Sequence, residues 1–404
     1  MTIASSNPKD PSPSVIPMPK GRDLTGLKIC TRCIYDELTK GITFDAEGVC
    51  VYCRTVEKLQ VDYATGKPEG EAKLASLIDD IKKAGKGKKY DCIVGVSGGT
   101  DSSYMLLKAI EWGLRPIAVH YDNTWNTAIA TENIRKVLKK LKVDLFTHVI
   151  ANDEADDIIR SFFMASVPDL DCATDIALAE TLYRAAAKYG LQYVLEGHSF
   201  MAEGLSPLGT IYMDGKYIES VHKQFGKMPM RTYPNMKFAA FMKWTLRHRI
   251  RKIRPLWYID YSKDAAKKRL REELDWVDYG GHHLENRVTA FHHAYYNPIK
   301  FGSDSRNTGL SASIRSGLMT REQAFQEYKS TPYMEEGLVD YFKKRLKLSD
   351  AEFLAILNRP NKSYRDYPTY KKRFERLRPF FYVLAKANLV PMSFYIKYTS
   401  KNEI

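Results

Sequence analysis

The sequence predicts an α/β protein with a doubly wound parallel sheet, an N-terminal cysteine-rich module and a mostly helical C-terminal region. Apolar strand patterns alternate with amphipathic helix patterns between residues 92 and 196, which is typical of a parallel sheet covered on both faces. Two Cys-x-x-Cys pairs precede this region, and basic helical patterns follow it. These three observations define the expected architecture.

Size and composition favour several domains and an anionic partner. The chain has 404 residues, which is longer than a usual single domain. Hydrophobic residues make up 44% of it, and its formal net charge is +14. It has no apolar run near the roughly 20 residues of a membrane span and no signal-peptide core at its start, so we expect a cytoplasmic protein. The charge suits a nucleotide, a nucleotide sugar, tRNA or an acidic protein.

We expect four units along the chain. Residues 1–25 are rich in proline and serine and are predicted to be a disordered leader. A cysteine-rich zinc ribbon follows at 26–60, then an α/β nucleotide-binding domain at 66–230. Residues 231–404 are predicted to form a helical domain for a substrate or a partner.

Four cysteines predict a structural metal site. Cys30 and Cys33 form one pair and Cys50 and Cys53 another, with 16 residues between the pairs, a spacing typical of zinc sites. Four thiolates complete a tetrahedral shell around Zn²⁺ and leave no position for a substrate. Disulfides are disfavoured because nothing marks the chain as secreted, and an iron–sulfur cluster is the remaining alternative.

A glycine turn after the first strand of the α/β region predicts a phosphate site. The turn reads Ser97-Gly98-Gly99-Thr100-Asp101-Ser102 and leads into a helix, so its backbone N–H groups and the positive helix end can face an anion. A Walker A lysine is absent. We therefore expect Asp101 to hold Mg²⁺, with hydroxyl donors from Ser97, Thr100 and Ser102. The alternative is a turn that contains glycines only for steric reasons.

The strand and helix patterns bring further residues to this turn. They predict helices at 102–112, 127–141, 153–165 and 175–189, a helix within 66–89, and strands at 116–121, 145–150 and 192–196. Ligands of parallel sheets bind beyond the carboxyl ends of the strands. We therefore expect the glycine turn, His120 to Asn123 with Asp122, and Gly197-His198 to share one crevice.

The loop before residue 175 has two interpretations. Thr174 or Asp175 either caps the following helix, or Asp175 faces the crevice as a metal or substrate ligand. Two cysteines outside the zinc set, Cys92 and Cys172, have no Cys-x-x-Cys partner.

The C-terminal half offers three features. Residues 236–254 are predicted to form an amphipathic helix whose basic face is either solvated or binds an acidic partner or tRNA. Four histidines lie between His282 and His293, without the His-Glu-x-x-His spacing of a catalytic zinc site. The stretch from Lys300 to Arg306 places two cations and a carboxylate on a glycine-bearing loop, which predicts an anion site or, alternatively, plain surface charge.

The Ser-Gly-Gly-x-Asp-Ser string resembles the PP-loop of the ATP pyrophosphatases, which have the adenine nucleotide alpha hydrolase-like fold and include GMP synthetase, NAD synthetase and asparagine synthetase. This resemblance implies that ATP is cleaved between its α and β phosphates. A substrate oxygen is adenylated, and a nitrogen or sulfur nucleophile then displaces AMP.

The order of motifs resembles the N-acetyl sugar amidotransferases of bacterial surface-polysaccharide synthesis, the WbpG/PseA-like group. The matching stretches are the cysteine pairs, residues 97–102, Thr174-Asp175, Gly280 to Glu285, Lys300-Phe301-Gly302, Asp304, Arg306, Leu310-Ser311 and Gly317 to Glu322. The resemblance implies conversion of the acetamido group of a nucleotide-linked sugar into an acetamidino group for lipopolysaccharide O-antigen or a related glycan. A separate glutaminase would supply the ammonia.

The resemblance also implies site residues and cofactors. ATP, Mg²⁺ and structural Zn²⁺ are expected. The implied catalytic residues are Asp101, Asp175, Lys300 and Arg306, the last two neutralising phosphates or a sugar carboxylate. The implied nucleotide-binding residues are Ser97, Gly98, Gly99, Thr100, Asp101, Ser102, His120, Asp122 and Gly197.

The chain departs from the family pattern near the implied acceptor. His282, Ser305 and Gly309 replace usual residues, and residues 197–203 follow the family string loosely, so another acceptor amide is an alternative. A PP-loop tRNA thiolase is a second alternative, although Cys172 is its one candidate for sulfur chemistry. A non-catalytic ATP-fold scaffold is disfavoured by the intact Asp101-Ser102.

Overall fold

The computed structural model describes residues 15–207, 209, 211–281 and 284–400. Most of the expected leader lies outside these ranges, and residues 15–24 have no regular secondary structure. The end of this segment nevertheless packs on the C-terminal region, because Leu24 is buried with Ala324 and Tyr328. The Arg22 N–H also donates to the Tyr328 carbonyl at 3.0 Å.

The cysteine-rich module is compact and runs into two helices. Short antiparallel bridges pair Ile29 with Asp36 and Phe44 with Cys50, and a small core forms around the four cysteines with Tyr35, Val49 and Tyr52. Helix α1 (Val51–Tyr63) begins directly after Cys50, and α2 (Pro68–Ala84) follows. The module therefore continues through α1 into the α/β region.

A five-stranded parallel sheet forms the centre of the α/β region. The strands are β1 (Cys92–Gly95), β2 (Pro116–Asp122), β3 (Leu145–Val149), β4 (Tyr193–Leu195) and β5 (Arg251–Ile253). They lie in the order β3-β2-β1-β4-β5, and every adjacent pair is parallel. The chain builds outward from β1 on one side and then on the other, so the strand order reverses between β1 and β4. Crevices at such a switch point are where ligands bind in open α/β sheets.

Helices cover both faces of this sheet, as the alternating pattern predicts. Those of the region are α3 (Thr100–Glu111), α4 (Ala128–Leu141), α5 (Asn152–Ala165), α6 (Cys172–Lys188) and α7 (Gly215–Phe225). Val94, Ala118 and Leu195 pack with apolar residues of α2, α3 and α4. Ile93 and Val194, whose side chains point the opposite way, pack with α6.

The remaining chain is mostly helical. Its helices are α8 (Phe238–Met242), α9 (Lys263–Leu274), α10 (Arg287–Phe291), α11 (Asn297–Phe301), α12 (Arg306–Arg315), α13 (Arg321–Lys329), α14 (Leu338–Arg345), α15 (Asp350–Leu357), α16 (Lys371–Arg376), α17 (Arg378–Lys386) and α18 (Met392–Thr399). Wider π-helical turns follow α8 at Lys243–Arg247 and join α10 to α11 at His292–Tyr296. Short 3₁₀ turns form at Pro255–Trp257 and Tyr364–Asp366.

The structure differs from the expected helix at 236–254 and from the domain boundary at residue 230. The helix ends after its π turn, Arg249 adopts a left-handed φ of 53°, and the chain then enters β5. β5 pairs with β4 through three residues, so the α/β region continues past residue 230. A strand this short and this charged has no apolar run that would distinguish it from a helix end.

Within the described ranges, none of the helices combines the length and the apolar character needed to cross a bilayer.

Candidate active site

The glycine turn lies at the switch point and has the backbone form that its sequence predicts. Gly98 has a left-handed φ of 81°, and a Cβ atom there would lie 2.2 Å from the Ala130 carbonyl oxygen. Gly99 is the N-cap of α3. The chain therefore needs glycine for the close approach to α4, and the turn presents the N-terminus of α3 to the crevice.

The hydroxyl groups of the turn bond to its own backbone. The Ser97 N–H donates to Ser102 Oγ at 3.2 Å, and the Gly99 N–H donates to Ser97 Oγ at 3.3 Å. These lengths are at the long end of N–H···O bonds. A phosphate oxygen can take over such donors without leaving a buried group unpaired.

Residues from distant parts of the chain hold the turn from behind. Trp276 Nε1 donates to the Gly98 carbonyl at 2.9 Å, and Asn133, which is fully buried, contacts the same carbonyl and the backbone of Val277. A Cβ on Gly99 would lie 3.0 Å from the Tyr279 hydroxyl oxygen and 3.6 Å from Glu285 Oε1. Glu285, the last residue of the Gly280–Glu285 stretch that resembles the family, thus lies beside the turn.

Asp101 is already paired within the protein. Its Oδ1 accepts a hydrogen bond of 2.5 Å from the Tyr261 hydroxyl, and its Oδ2 lies 3.0 Å from Lys263 Nζ. Burial alone would lower the pKa of Lys263, but the carboxylates of Asp101, Glu203 and Glu285 raise it above the usual value. Lys263 is therefore a charged ammonium group among three carboxylates.

His120 supports the turn with both ring nitrogens. Its Nδ1 lies 2.7 Å from the Val96 carbonyl, and its Nε2 lies 3.2 Å from Asn126 Nδ2. Burial lowers the pKa of His120, so the neutral ring donates to Val96 and accepts from Asn126. Asp122 Oδ1 accepts from the Thr124 N–H at 2.7 Å. Both residues lie at the carboxyl end of β2 as expected, and their contacts shape the crevice wall.

An asparagine network joins this wall to the C-terminal region. Asn286 Nδ2 donates to Asn123 Oδ1 at 2.8 Å and to Asn126 Oδ1 at 3.0 Å. Asn123 Nδ2 donates to Thr174 Oγ1 at 3.2 Å, so Thr174 does reach the crevice.

The start of α6 decides the two interpretations of the loop before residue 175. Helix α6 begins at Cys172 with Asp171 as its N-cap, which contradicts the capping interpretation of Thr174 and Asp175. Asp175 is exposed in the first turn of α6, where its charge acts on Lys397 of α18.

The segment after β4 supplies the opposite wall. A Cβ on Gly197 would lie 2.5 Å from the Asp101 carbonyl oxygen, so only glycine permits this approach.

Glu196 and His198 flank Gly197 and differ in charge. Glu196 pairs with Lys252 Nζ at 2.7 Å and Arg254 Nε at 3.1 Å. Although burial raises it, these cations lower the pKa of Glu196 to about 2. Burial and Arg254 lower the pKa of His198 to about 4, so that ring is neutral at pH 7.

The structure does not support an anion site from Lys300 to Arg306. Lys300 is 9% exposed, and its Nζ donates to the carbonyls of Ile356 at 3.3 Å and of Leu357 and Arg359 at 2.8 Å. It closes the C-terminal end of α15, whose last carbonyls lack helical partners.

Arg306 is occupied in a similar way. Its Nη2 lies 2.6 Å from Asp304 Oδ2, and it also donates to the carbonyls of Glu327 and Tyr328 at 3.0 Å. The predicted roles of Lys300 and Arg306 at the substrate are therefore corrected to structural ones.

The histidine-rich stretch forms no common site in the described residues. His282 and His283 lie outside them. His292 Nε2 contacts the Pro168 carbonyl at 2.7 Å, and His293 Nδ1 contacts Ser305 Oγ at 2.9 Å. His292 thus supports the loop that leads to Thr174.

The four predicted metal ligands do come together. The ligand atoms of Cys30, Cys33, Cys50 and Cys53 all lie within 4.8 Å of one another and are buried. Sγ–Sγ distances of 3.7 Å and 4.0 Å are close to the edge of about 3.8 Å of a tetrahedron with Zn–S bonds of about 2.3 Å. They are far longer than the roughly 2.05 Å of a disulfide. The cluster is therefore compatible with zinc, and no disulfide joins Cys33 to Cys50 or Cys30 to Cys53.

The cysteine cluster is attached to the C-terminal region and to the crevice wall. Arg315 Nη1 lies 3.7 Å from Cys53 Sγ, and Arg321 Nη2 donates to the Cys30 carbonyl at 2.7 Å. The Tyr35 hydroxyl donates to the Leu205 carbonyl at 3.1 Å. The module thus connects α12 to the segment that carries His198 and Glu203.

Several residues of the site carry no motif or spacing that would mark them in the sequence. Tyr261 and Lys263 follow the 3₁₀ turn after β5, and Asn133 and Trp276 are single polar or aromatic positions within helix patterns or loops. A lysine at the first position of a helix, where the helix dipole disfavours a cation, is a local irregularity that marks Lys263.

Part of the chain is similar to a known protein family. Residues 285–378 match the family model described as LPS biosynthesis protein WbpG-like, C-terminal domain. The uncharacterized protein MJ1599 of Methanocaldococcus jannaschii is 25% identical over 325 residues, which are 79% of this chain and 99% of that protein. The solved structure of NMN synthetase from Francisella tularensis aligns with a TM-score of 0.33 and 14% identity over 70% of this chain and 93% of that one, a likeness too low to support an argument. Residues 285–378, which supply Glu285 and Asn286 to the crevice, match the C-terminal domain of the WbpG-like family, so the resemblance to that family is confirmed.

Proposed function

We propose that this protein is a PP-loop ATP pyrophosphatase that works as an amidotransferase. It adenylates the acetamido oxygen of a nucleotide-linked N-acetyl sugar, and ammonia from a partner glutaminase replaces AMP to give an acetamidino sugar for lipopolysaccharide or a related glycan. The WbpG-like C-terminal domain supports the polysaccharide context.

One observation carries the proposal: the Ser97–Ser102 turn ends the central strand at the switch point and turns its exchangeable N–H donors and the N-terminus of α3 toward the crevice. Such an arrangement binds a polyphosphate. The family domain reaches the same crevice through Glu285 and Asn286, so a nucleotide and an acceptor can meet there.

The chemistry needs activation of a poor electrophile. Transfer of AMP to an amide oxygen forms the bond from that oxygen to the α-phosphorus and breaks the bond to the bridging oxygen, which leaves with pyrophosphate. Ammonia then adds to the imidate carbon, AMP departs, and an amidine remains. The protein's part is to position the phosphates and to neutralise the charge that develops on pyrophosphate.

Hard oxygen ligands around Asp101 suit Mg²⁺, which would neutralise phosphate charge there. Asp101 would hold it, with Glu203 and Glu285 acting on the same region. The four-cysteine cluster suits Zn²⁺ in a structural role, because its thiols leave no open position.

The cations for the phosphates are reassigned from Lys300 and Arg306 to residues near the crevice. Lys263 lies beside the turn, and Lys252 of β5 and Arg254 just after it share the carboxylate of Glu196, which follows β4. This pair retains a net positive charge for a second anionic group, such as the diphosphate of a nucleotide sugar.

The thiolase alternative is weaker in this structure. Cys172 is 2% exposed, and burial and nearby carboxylates raise its pKa well above the usual value. A thiol of that kind is a poor source of the thiolate that sulfur transfer needs.

The test follows the products of ATP with the purified chain, a panel of nucleotide-linked N-acetyl sugars and ammonium. We expect AMP and pyrophosphate, together with a sugar product about one mass unit lighter because nitrogen with its protons replaces oxygen. Glutamine should replace ammonium only when the partner glutaminase is added. ADP as the product would contradict α–β cleavage, sulfur in the product would favour the thiolase, and glutamine hydrolysis by the chain alone would contradict a separate glutaminase.

A further inference from the structure

We propose that Lys263 is a built-in counter-cation of the phosphate turn: it neutralises Asp101 in the ATP-free enzyme and moves to the departing pyrophosphate when a divalent cation binds Asp101. This inference deepens the proposed function and rests on it. It assigns a role to a residue outside the Ser-Gly-Gly-x-Asp-Ser string and outside the WbpG-like domain.

The Asp101 carboxylate has a cation beside it before any ligand is present. Lys263 Nζ lies 3.0 Å from Asp101 Oδ2, and the Asp101 side chain is only 16% exposed. A carboxylate paired with an ammonium group in a partly buried site attracts a second cation much less than a free carboxylate does. Binding of a divalent metal at Asp101 therefore requires that the ammonium group move or share.

Without its neighbouring carboxylates, Lys263 would be in an electrostatically unfavourable position. It is the first residue of α9, whose N-cap is Ser262, and the positive end of a helix disfavours a cation. Asp101, Glu203 and Glu285 compensate for this position. When a metal binds Asp101, the ammonium group would lose its nearest compensating charge and would need another anion.

The turn is the phosphate site of the proposed function, and its N–H donors begin next to Asp101. Lysine carries a compact charge on a flexible stem with three rotatable donors, so it can change partners while its backbone stays on α9. Cleavage between the α and β phosphates leaves the electron pair of the broken bond on a pyrophosphate oxygen. Lys263 neutralises that oxygen and keeps its proton.

Tyr261 keeps Asp101 oriented during the exchange. Its hydroxyl donates to Oδ1, whereas Lys263 pairs with Oδ2, and the hydroxyl has no charge to repel a metal. The carboxylate thus keeps its orientation while its other oxygen changes from ammonium to metal.

The experiment measures binding to the full-length, ATP-free protein, so it needs neither turnover nor an acceptor. Mn²⁺ binding is titrated by the paramagnetic resonance of free Mn²⁺, and pyrophosphate binding is titrated by calorimetry in buffer freed of divalent ions. The variants are Lys263→Gln, Lys263→Arg, Asp101→Asn to identify the Mn²⁺ site, and Lys267→Gln as a matched control. Lys267 lies one turn further along α9 and pairs with Asp278 at 2.9 Å.

We expect Lys263→Gln to tighten Mn²⁺ binding at the site lost in Asp101→Asn by about tenfold and to weaken pyrophosphate binding by about tenfold. Lys263→Arg should retain pyrophosphate affinity, and Lys267→Gln should change neither value more than about twofold. A merely structural lysine would not produce opposite changes. Unchanged or weaker Mn²⁺ binding in Lys263→Gln, or unchanged pyrophosphate binding, would overturn the inference.

The two hypotheses fail separately. If the wild-type protein makes AMP but Lys263→Gln lacks the opposite shifts, the counter-cation is wrong and the proposed function stands. If the wild type does not form AMP from ATP, the proposed function fails whatever the binding data are.

Discussion

Two stretches of this chain combine glycine, a carboxylate and polar or cationic residues, and both were expected to bind anions. The turn at 97–102 lies at the switch point of the sheet, and its N–H donors bond to serine hydroxyls of the same turn at 3.2 to 3.3 Å. In the stretch from 300 to 306, by contrast, Lys300 and Arg306 are bonded to carbonyls of two distant segments and to Asp304.

The difference teaches that partners, rather than residue types, determine the role of a charge. Donors bonded weakly within their own turn can exchange for a ligand, whereas a buried cation that closes helix ends is unavailable because its carbonyls would lose their partner. Groups at the first stretch should therefore affect the reaction, and groups at the second should affect stability.

The sharpest test exchanges one carboxylate in each stretch. Asp101→Asn should reduce AMP formation about 10³-fold or more, because its charge positions the metal and Lys263, and it should still unfold cooperatively. Asp304→Asn should lower the melting temperature but leave the rate per folded molecule within about threefold. Initial AMP release and thermal unfolding measure both. Equal losses of activity in the two variants would erase the distinction between the stretches.

The four-cysteine cluster is a third group of polar side chains, and like Lys300 it is buried and expected to affect stability. Cys50→Ser should remove one ligand and lower the melting temperature on the order of 10 °C, because the cluster connects α12 to the segment that carries Glu203. Metal analysis should find one zinc in the wild type and less in the variant. Iron, or no metal in the wild type, would contradict the zinc assignment.

Lys300 tests the second stretch directly. Lys300→Met should lower the free energy of unfolding by about 3 kcal/mol, because three carbonyls lose their donor. AMP formation per folded molecule should be retained. Denaturant unfolding is compared with that of Lys344→Met, an exposed lysine of α14. A large activity loss with unchanged stability would restore the anion-site interpretation.

Asp169 extends the comparison to a carboxylate that faces the core. Burial raises its pKa to about 7, far above the roughly 3.9 of an unfolded aspartate. The stability that its protonated form contributes is present below pH 4 and is lost as pH rises through 7. Between pH 5 and 7.5, the free energy of unfolding of the wild type should therefore fall by about 2 kcal/mol more than that of Asp169→Asn. Asp79→Asn, on α2, is the control and should follow the wild type. An unchanged pH profile would contradict a buried, protonated Asp169.

The sequence alone determined the features that depend on neighbouring residues. The cysteine spacing brings four thiols together because each pair forms its own short turn. The strand–glycine–helix order of residues 92–111 follows from a short apolar run, a glycine that permits a left-handed φ at Gly98, and an amphipathic run after it. The alternation of apolar patterns was sufficient for β1 to β4 and their helices. In β1, β2 and β4, which are buried along nearly their whole length, the apolar run is almost continuous because both faces of the strand are covered.

The tertiary structure decided which charges meet. Lys263 and Tyr261 reach Asp101 from about 160 residues further along the chain, and Lys300 meets carbonyls some 56 to 59 residues away. β5 forms only because β4 offers an unpaired edge to a short basic segment. Contacts at such separations leave no periodicity or spacing in the chain, because burial and pairing in the folded state select the partner of each charged group.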